Sequence, residues 1–384
     1  MHQLFKAVLS TEEILSELKA ILDSGWIGLG PKTAEFEKKL AEQIAPKATF
    51  LALNSCTAAL HLALRILDLP KGAKVLTTPI TFVSTNHAIL YEGLEPVFCD
   101  VDPRTGHMDP QAVERALREH KIAAVLVVHL GGHPCDMARI NALAKAKSIP
   151  VVEDCAHAFG GRYLDGRNIG DTENICCWSF QAVKNLAIGD GGAISVIQPD
   201  QAARLKKLRW LGIDQDTASR FQAKSDKVYQ YKWDYNVVEV GFKYHLNDIL
   251  SLIGLVQLRH IDEANRRRAQ IAAMYAERLG RLPGVTLPAY PSMAFSSFHF
   301  FPLFFERKAD IYAALSAKEI FPGMHYKSNV RYPMFQECAR VGRTGAKLEG
   351  TDWYEARELT LPIHLGLTDA DIAFICDAVA QACG

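Results

Sequence analysis

Charge imbalance is missing from this sequence: Lys plus Arg and Asp plus Glu each total 43 among 384 residues. A chain without excess positive charge offers no electrostatic case for nucleic acid or an anionic membrane surface as partner. Long apolar runs are missing too, since none approaches the roughly 18 residues that a membrane span needs. Met1 to Ser10 lacks the basic stretch and apolar core of a secretory leader. The expectation is a soluble, cytoplasmic protein. The nine cysteines, an odd number, show no zinc-site spacing, and Cys176-Cys177 fall inside an apolar run. They read as reduced, small core residues rather than a disulfide framework or a metal site. His129, His133, Cys135 and Asp136 lie close together, but their spacing fits no usual zinc pattern, so a structural loop is expected and no metal. Internal repeats and low-complexity tracts are absent, and no glycine fingerprint of a nicotinamide-binding turn follows the first strand.

What is present is apolar patterning. At 49% hydrophobic residues, a chain of this length exceeds the size at which one core usually divides, so two domains are expected, residues 1–260 and 261–384. Ser10-Thr11-Glu12-Glu13 reads as the start of a helix carrying Ile14, Leu15, Leu18, Ile21 and Leu22 at helical spacing. A second helix is expected from Glu35 to Ile44. Short strands at Thr49 to Leu53, Val75 to Thr78, Pro96 to Cys99 and Ala123 to Val128 alternate with helical stretches. That βαβ alternation predicts an α/β fold with a mainly parallel sheet and right-handed crossovers. Arg209 to Tyr235 is the least regular stretch and reads as a long functional loop. Ser297 to Phe305 reads as one aromatic strand, and Thr368-Asp369 as the start of a closing helix.

Chemistry concentrates on two strand ends. Ile175 to Phe180 is a buried strand by pattern, and it leads through Lys184 into Gly189-Asp190-Gly191-Gly192, where the backbone can turn tightly. A lysine buried there is costly to keep charged, which lowers its pKa and frees an amine for a Schiff base. Val151-Val152-Glu153-Asp154 ends a second strand in two carboxylates. Alternation points them to opposite faces, leaving Asp154 the better candidate for the cleft. A lysine for an aldehyde and a carboxylate for a pyridine nitrogen are the two groups that pyridoxal 5′-phosphate (PLP) needs. Asn54 to Leu64 adds small hydroxyl residues at a helix start, a ready anion site, although simple capping by Ser55 or Thr57 is the reading that these residues alone favour.

These motifs, in this order, resemble the DegT/DnrJ/EryC1/StrS family of PLP-dependent sugar aminotransferases, from Ser24–Pro31 to Leu361–His364. The resemblance implies the fold of aspartate aminotransferase: a large domain built on a mainly parallel, seven-stranded sheet flanked by helices, and a small C-terminal α+β domain. It implies Lys184 as the residue that carries PLP, with Asp154 on the pyridine nitrogen. Thr57, Ala58 and Ser179 would hold the phosphate, and Phe82 would lie against the ring. His157 stands where the family commonly has a glutamine on the phenolic oxygen. Lys243 and His245 would reach the neighbouring subunit's phosphate in a homodimer, and His325-Tyr326 would border the substrate. Departures are Cys56 for a glycine, Gln181 for a histidine, and Lys327 to Arg331. The implied reaction moves an amino group from an amino acid, with L-glutamate the expected donor, to a nucleotide-linked keto-deoxysugar. Transamination of another carbonyl compound and a noncatalytic role on the same fold are the alternatives. Dehydratase relatives carry histidine in place of the lysine.

Overall fold

The computed structural model describes residues 1–214, 235–337 and 347–384, so most of the irregular Arg209 to Tyr235 stretch lies outside the described residues. Helix α1 (Thr11–Ser24) buries Ile14 and Ile21 and ends at Gly25, whose φ of 70° suits a residue without Cβ. Ser10 does not cap α1 with its side chain. Helix α2 (Pro31–Ile44) begins at Pro31, earlier than the Glu35 expected. A distant carboxylate makes this possible: Asp248 accepts from the amides of Gly30, Lys32 and Thr33 at 3.0, 3.1 and 2.9 Å and from the Thr33 hydroxyl at 2.7 Å. These are first-turn donors that the helix itself cannot satisfy.

The chain then alternates: β1 (Thr49–Leu53), α3 (Cys56–Arg65), β2 (Lys74–Thr77), α4 (Val83–Tyr91), β3 (Glu95–Phe98), α5 (Pro110–Glu119), β4 (Ile122–Val128), α6 (Met137–Lys145) and β5 (Val151–Asp154). Two further strands, β6 (Ile175–Ser179) and β7 (Gly192–Val196), precede α7 (Pro199–Leu208) and α8 (Asp248–Arg259). The strands form one seven-stranded sheet in the order β1-β7-β6-β5-β4-β2-β3, in which β7 pairs antiparallel with both neighbours and the other pairings are parallel. Strand alternation sends Val125, Val127 and Cys176 to one face, against Phe36, Val113, Ile140 and Leu255 of the helices there. Ala124, Leu126, Val152 and Cys177 face the other way, against Leu60, Ile89 and Leu205. The result is a helix–sheet–helix sandwich, and parallel strands buried on both faces explain why they read as continuous apolar runs.

Helix α9 (Ile261–Leu279) leads to β8 (Val285–Thr286), β9 (Pro302–Phe305), α10 (Lys308–Ser316), α11 (Pro333–Glu337), α12 (Glu349–Arg357), β10 (Glu358–Thr360) and α13 (Asp369–Cys383). The three strands make an antiparallel sheet in the order β10-β9-β8, with Tyr275, Phe304, Leu315 and Ile375 in a second core. Thr368 and Asp371 form a capping box on α13. The expected strand from Ser297 is shorter than its apolar pattern suggested. Phe298 has φ 48°, and the amides of Ser297 and His299 donate to the carbonyls of Gly132 and Gly131, so only Pro302–Phe305 joins the sheet. Among the described residues, no helix is long and apolar enough to cross a membrane.

Candidate active site

Strands β5 and β6 run parallel, with Asp154 opposite Cys177, so both deliver their next residues to the same edge of the sheet. Asp154 is 3% exposed. Its Oδ2 accepts from the Thr85 hydroxyl at 2.8 Å and its Oδ1 from the Ala156 amide at 3.0 Å. Burial pushes its pKa up, opposed by those hydrogen bonds and by Lys184. Glu153 points through the opposite face. Burial works against its charge, yet hydrogen bonds from His129, Asn174 and Tyr163 hold its carboxyl below the usual range.

Lys184 sits in the reversal between β6 and β7, where the Phe180 amide bonds the Gly191 carbonyl at 2.9 Å and the Lys184 amide bonds the Gln181 carbonyl at 2.8 Å. Part of the side chain is exposed, but protein surrounds its amine, and burial lowers the pKa to about 8 against the opposing pull of Asp154. The Lys184 Nζ lies 3.4 Å from Nε2 of His299. From there a file of rings crosses the cleft. Phe5 stacks on His299 at 5.1 Å between centroids, His299 on His157 at 4.4 Å, and His157 on Tyr326 at 6.0 Å, with Phe82 tilted beyond at 6.2 Å. Phe82 is 56% exposed, an aromatic face turned to open space.

The hydrogen bonds assign the imidazoles. The Gly131 amide donates to Nδ1 of His157, leaving the proton on Nε2, which meets the Tyr326 hydroxyl at 3.1 Å. Burial first, then the Lys184 charge, drives the pKa values of His157 and His299 well down, and that of His325 to about 3. His325 also bonds through Nδ1 to the Thr360 hydroxyl at 2.9 Å, and Thr360 donates to Glu358 at 2.7 Å. The amine is therefore surrounded by neutral imidazoles. Sequence reasoning passed over His299, Thr85, Thr360 and Glu358. The one signal for His299 was a histidine inside the run Ser297 to Phe305, which the strand reading absorbed.

The head of α3 closes another side. Ser55 accepts from the Ala58 amide at 3.1 Å, whereas the amides of Cys56 and Thr57 have no acceptor among the described residues. A Cβ on Gly192 would lie 2.5 Å from the Cys56 nitrogen, so β7 and the helix head touch backbone to backbone. Ser179 stands opposite Gly192 in the register, and its hydroxyl has no hydrogen bond among the described residues. The Cys56 thiol, pushed up by burial, also feels Asp154 and Lys184. Helix head and carboxylate thus both lie within electrostatic reach of the amine. Lys243 and His245 gather elsewhere: the Lys243 ammonium lies 3.6 Å over the Trp210 ring, and His245 packs edge-on against it at 4.4 Å, its buried Nδ1 without a hydrogen-bond partner among the described residues. His133 stacks on Tyr290 at 3.9 Å and Asp136 caps α6.

Residues 9–380 match the DegT/DnrJ/EryC1/StrS aminotransferase family. The chain is 34% identical to a dTDP-4-dehydro-2,3,6-trideoxy-D-glucose 4-aminotransferase of Saccharopolyspora spinosa, over 100% of this chain and 97% of that one. It is 32% identical to the spore coat polysaccharide biosynthesis protein SpsC of Bacillus subtilis, over 96% and 94%. Among solved structures, the sugar aminotransferase CalS13 from Micromonospora echinospora is similar at a TM-score of 0.87 and 31% identity, over 99% and 100% of the two chains. The PLP form of Spr1654 from Streptococcus pneumoniae is similar at 0.87 and 26%, over 100% and 98%.

Proposed function

Because the chain belongs to the DegT/DnrJ/EryC1/StrS aminotransferase family, we propose that it moves the amino group of L-glutamate onto a nucleotide-linked keto-deoxysugar, with PLP as cofactor. The observation that carries this reading is the buried Lys184 amine, its pKa lowered to about 8, within electrostatic reach of the buried Asp154 carboxylate. The residues fit the cofactor: a nucleophilic amine, a carboxylate fixed by Thr85, and a helix head with two free amides and the positive end of its dipole. When bound, PLP supplies a carbonyl for amines and a ring that draws electrons from the bond being broken.

This chain's residues supply the rest. Lys184 would hold the cofactor and, once the donor has displaced it, take the proton from the donor's α-carbon; a pKa near the working pH suits a base that must also return it. Asp154 would keep the proton on the pyridine nitrogen, with Thr85 fixing its orientation. The Thr57 amide and the Ser179 hydroxyl would hold the phosphate, and Ala58, whose amide Ser55 has taken, would shape the turn. Phe82 would cover one ring face, and His157, already bonded to Tyr326, would border the phenolic oxygen. His325 and Tyr326 would line the acceptor side. In a homodimer, Lys243 and His245 would complete the phosphate site of a second copy. The exposed Val237, Val238 and Val240 beside them, 61%, 53% and 77% accessible, form an apolar row that such an interface would cover.

The dTDP-sugar aminotransferase relative supports the acceptor class. The test is the absorption spectrum of the purified protein before and after L-glutamate. A band at about 400–430 nm that moves to about 330 nm, and returns on adding one of a panel of keto-sugar nucleotides, is the expected result. A protein that takes up no PLP, or a band that no sugar nucleotide restores, would overturn the reading.

A further inference from the structure

Arg268, on α9, is 8% exposed and has no counter-ion among the described residues. Among the described residues its one hydrogen bond is a long one, to Asn265 Oδ1 at 3.4 Å, and no carboxylate pairs with it. Its neighbour Arg267 takes Asp369 at 2.7 Å and the Leu367 carbonyl at 2.8 Å. Burial alone lowers the Arg268 pKa to about 10, as expected of a charge whose lost hydration nothing has replaced. Natural proteins rarely leave a buried guanidinium in that condition unless something else completes it.

The surroundings indicate what. Arg268 lines a cavity of about 330 Å³ together with Lys184, Asn185, His299, Lys6 and His364, within the size range of small-molecule sites. The N-terminal segment from Phe5 to Ser10 forms one wall, and Glu263 is the one acid among the lining residues. Lys184 and Arg268 both act electrostatically on His299, which touches the Lys184 amine. The cavity is therefore lined by a reactive amine, a neutral imidazole beside it and, within electrostatic reach of that imidazole, a guanidinium with no acid partner among the described residues. An amino acid presents an amine and a carboxylate in the complementary order.

We propose that this cavity receives the amino-acid donor and that Arg268 takes one of its carboxylates through its planar fork of N–H groups. The inference rests on the aminotransferase reading and adds the donor's binding site to it. The ligand's carboxylate supplies the missing counter-ion, so the buried charge becomes binding affinity for an anionic donor and excludes neutral or cationic amines.

The test uses the PLP-loaded protein, L-glutamate, and glutarate, which has the carboxylates but no amine. Arg268→Gln is expected to raise the donor KM at least 30-fold, leave the KM for the sugar nucleotide unchanged, and weaken calorimetric glutarate binding to a similar degree. Arg268→Lys should recover part of both. Asn265→Asp places a carboxylate beside the guanidinium and should raise the donor KM with the arginine still present. In the wild type, glutarate should compete with L-glutamate. Unchanged donor KM and glutarate binding in a folded Arg268→Gln, or a rise confined to the sugar-nucleotide KM, would overturn the proposal. Should Arg268→Gln not fold, glutarate that fails to compete in the wild type overturns it equally. A wild type that no amino acid converts would sink the aminotransferase reading instead, while glutarate binding and its loss in the variants would still decide the site.

Discussion

The Lys184 amine and the His299 imidazole meet at 3.4 Å, and His299 is itself clamped between Phe5 and His157. A neutral ring held on both faces can fix the direction of an amine without competing with it for charge. His299→Phe keeps the stacking and deletes Nε2. The expected outcome is a 10- to 100-fold slower half-reaction with L-glutamate, by stopped-flow absorbance, since misdirecting a reacting group by about 1 Å costs on the order of 100-fold. The melting temperature should move by no more than a few degrees. A half-reaction at the wild-type rate would remove His299 from the positioning set.

Covalent capture of PLP by the apoprotein should follow the neutral fraction of Lys184. With a folded pKa of about 8, the rate is expected to rise about tenfold per pH unit below that value and level off above it. Asp154 pulls the pKa upward, so Asp154→Asn should move the midpoint to lower pH while slowing the donor half-reaction by about 10²-fold or more. The same shift acts on stability. Between about pH 8 and the free-lysine value of 10.5 the unfolded chain binds the extra proton, so this group makes the apoprotein more stable as pH rises through that window. A capture midpoint near 10 would show the amine to be solvated.

Glu358 gives the opposite slope. Burial raises its carboxyl from 4.5 to about 7, opposed by Thr360 and the His325 amide. Between those values the folded chain holds the extra proton, so wild-type stability falls as pH rises and the penalty is complete above 7, on the order of 3 kcal/mol. Glu358→Gln removes that titration. Its melting temperature relative to wild type should climb from pH 5 to pH 8, and a pH-independent difference would contradict the shift.

Gly192→Ala should strike the anion site before the fold. The added Cβ would lie 2.5 Å from the Cys56 nitrogen and from the Ser55 carbonyl carbon, both backbone, so β7 and the head of α3 must separate. Crowding of this kind costs about 1–3 kcal/mol. PLP affinity, measured by fluorescence titration, is expected to fall at least tenfold, and retained affinity would mean that the free amides at Cys56 and Thr57 are not the phosphate contacts.

Local pattern was enough for the strands that end at Asp154 and Ser179 and for the helix behind the Asn54 turn, because buried parallel strands and amphipathic helices announce themselves over a few residues. It was blind where one residue serves another far along the chain. Asp248 caps a helix 215 positions away, and Thr85 orients a carboxylate 69 positions away. Arg266, Arg267 and Arg268 are indistinguishable by type, and only packing decides that one pairs with Asp369 and another is buried with no acid partner among the described residues. His299 was hidden by the pattern itself: Ser297 to Phe305 is aromatic enough to read as a strand, and the bonds from its first residues to Gly131 and Gly132 come from another part of the sequence.

Among the described residues β7 is the one strand that pairs with β1, beside an isolated bridge from Leu53 to His245, and this sets an order of assembly during synthesis. Until Val196 has left the ribosome, on the order of ten seconds after Leu53 at ordinary elongation rates, the strand that leads into the head of α3 has no sheet partner. Lys184 emerges just before β7, so amine and anion site are brought together in a single late event. A cofactor that needs both groups would therefore meet either a nascent chain with nothing to grip it or a completed sheet. Binding only the second, it would draw newly made chains toward the native state by mass action.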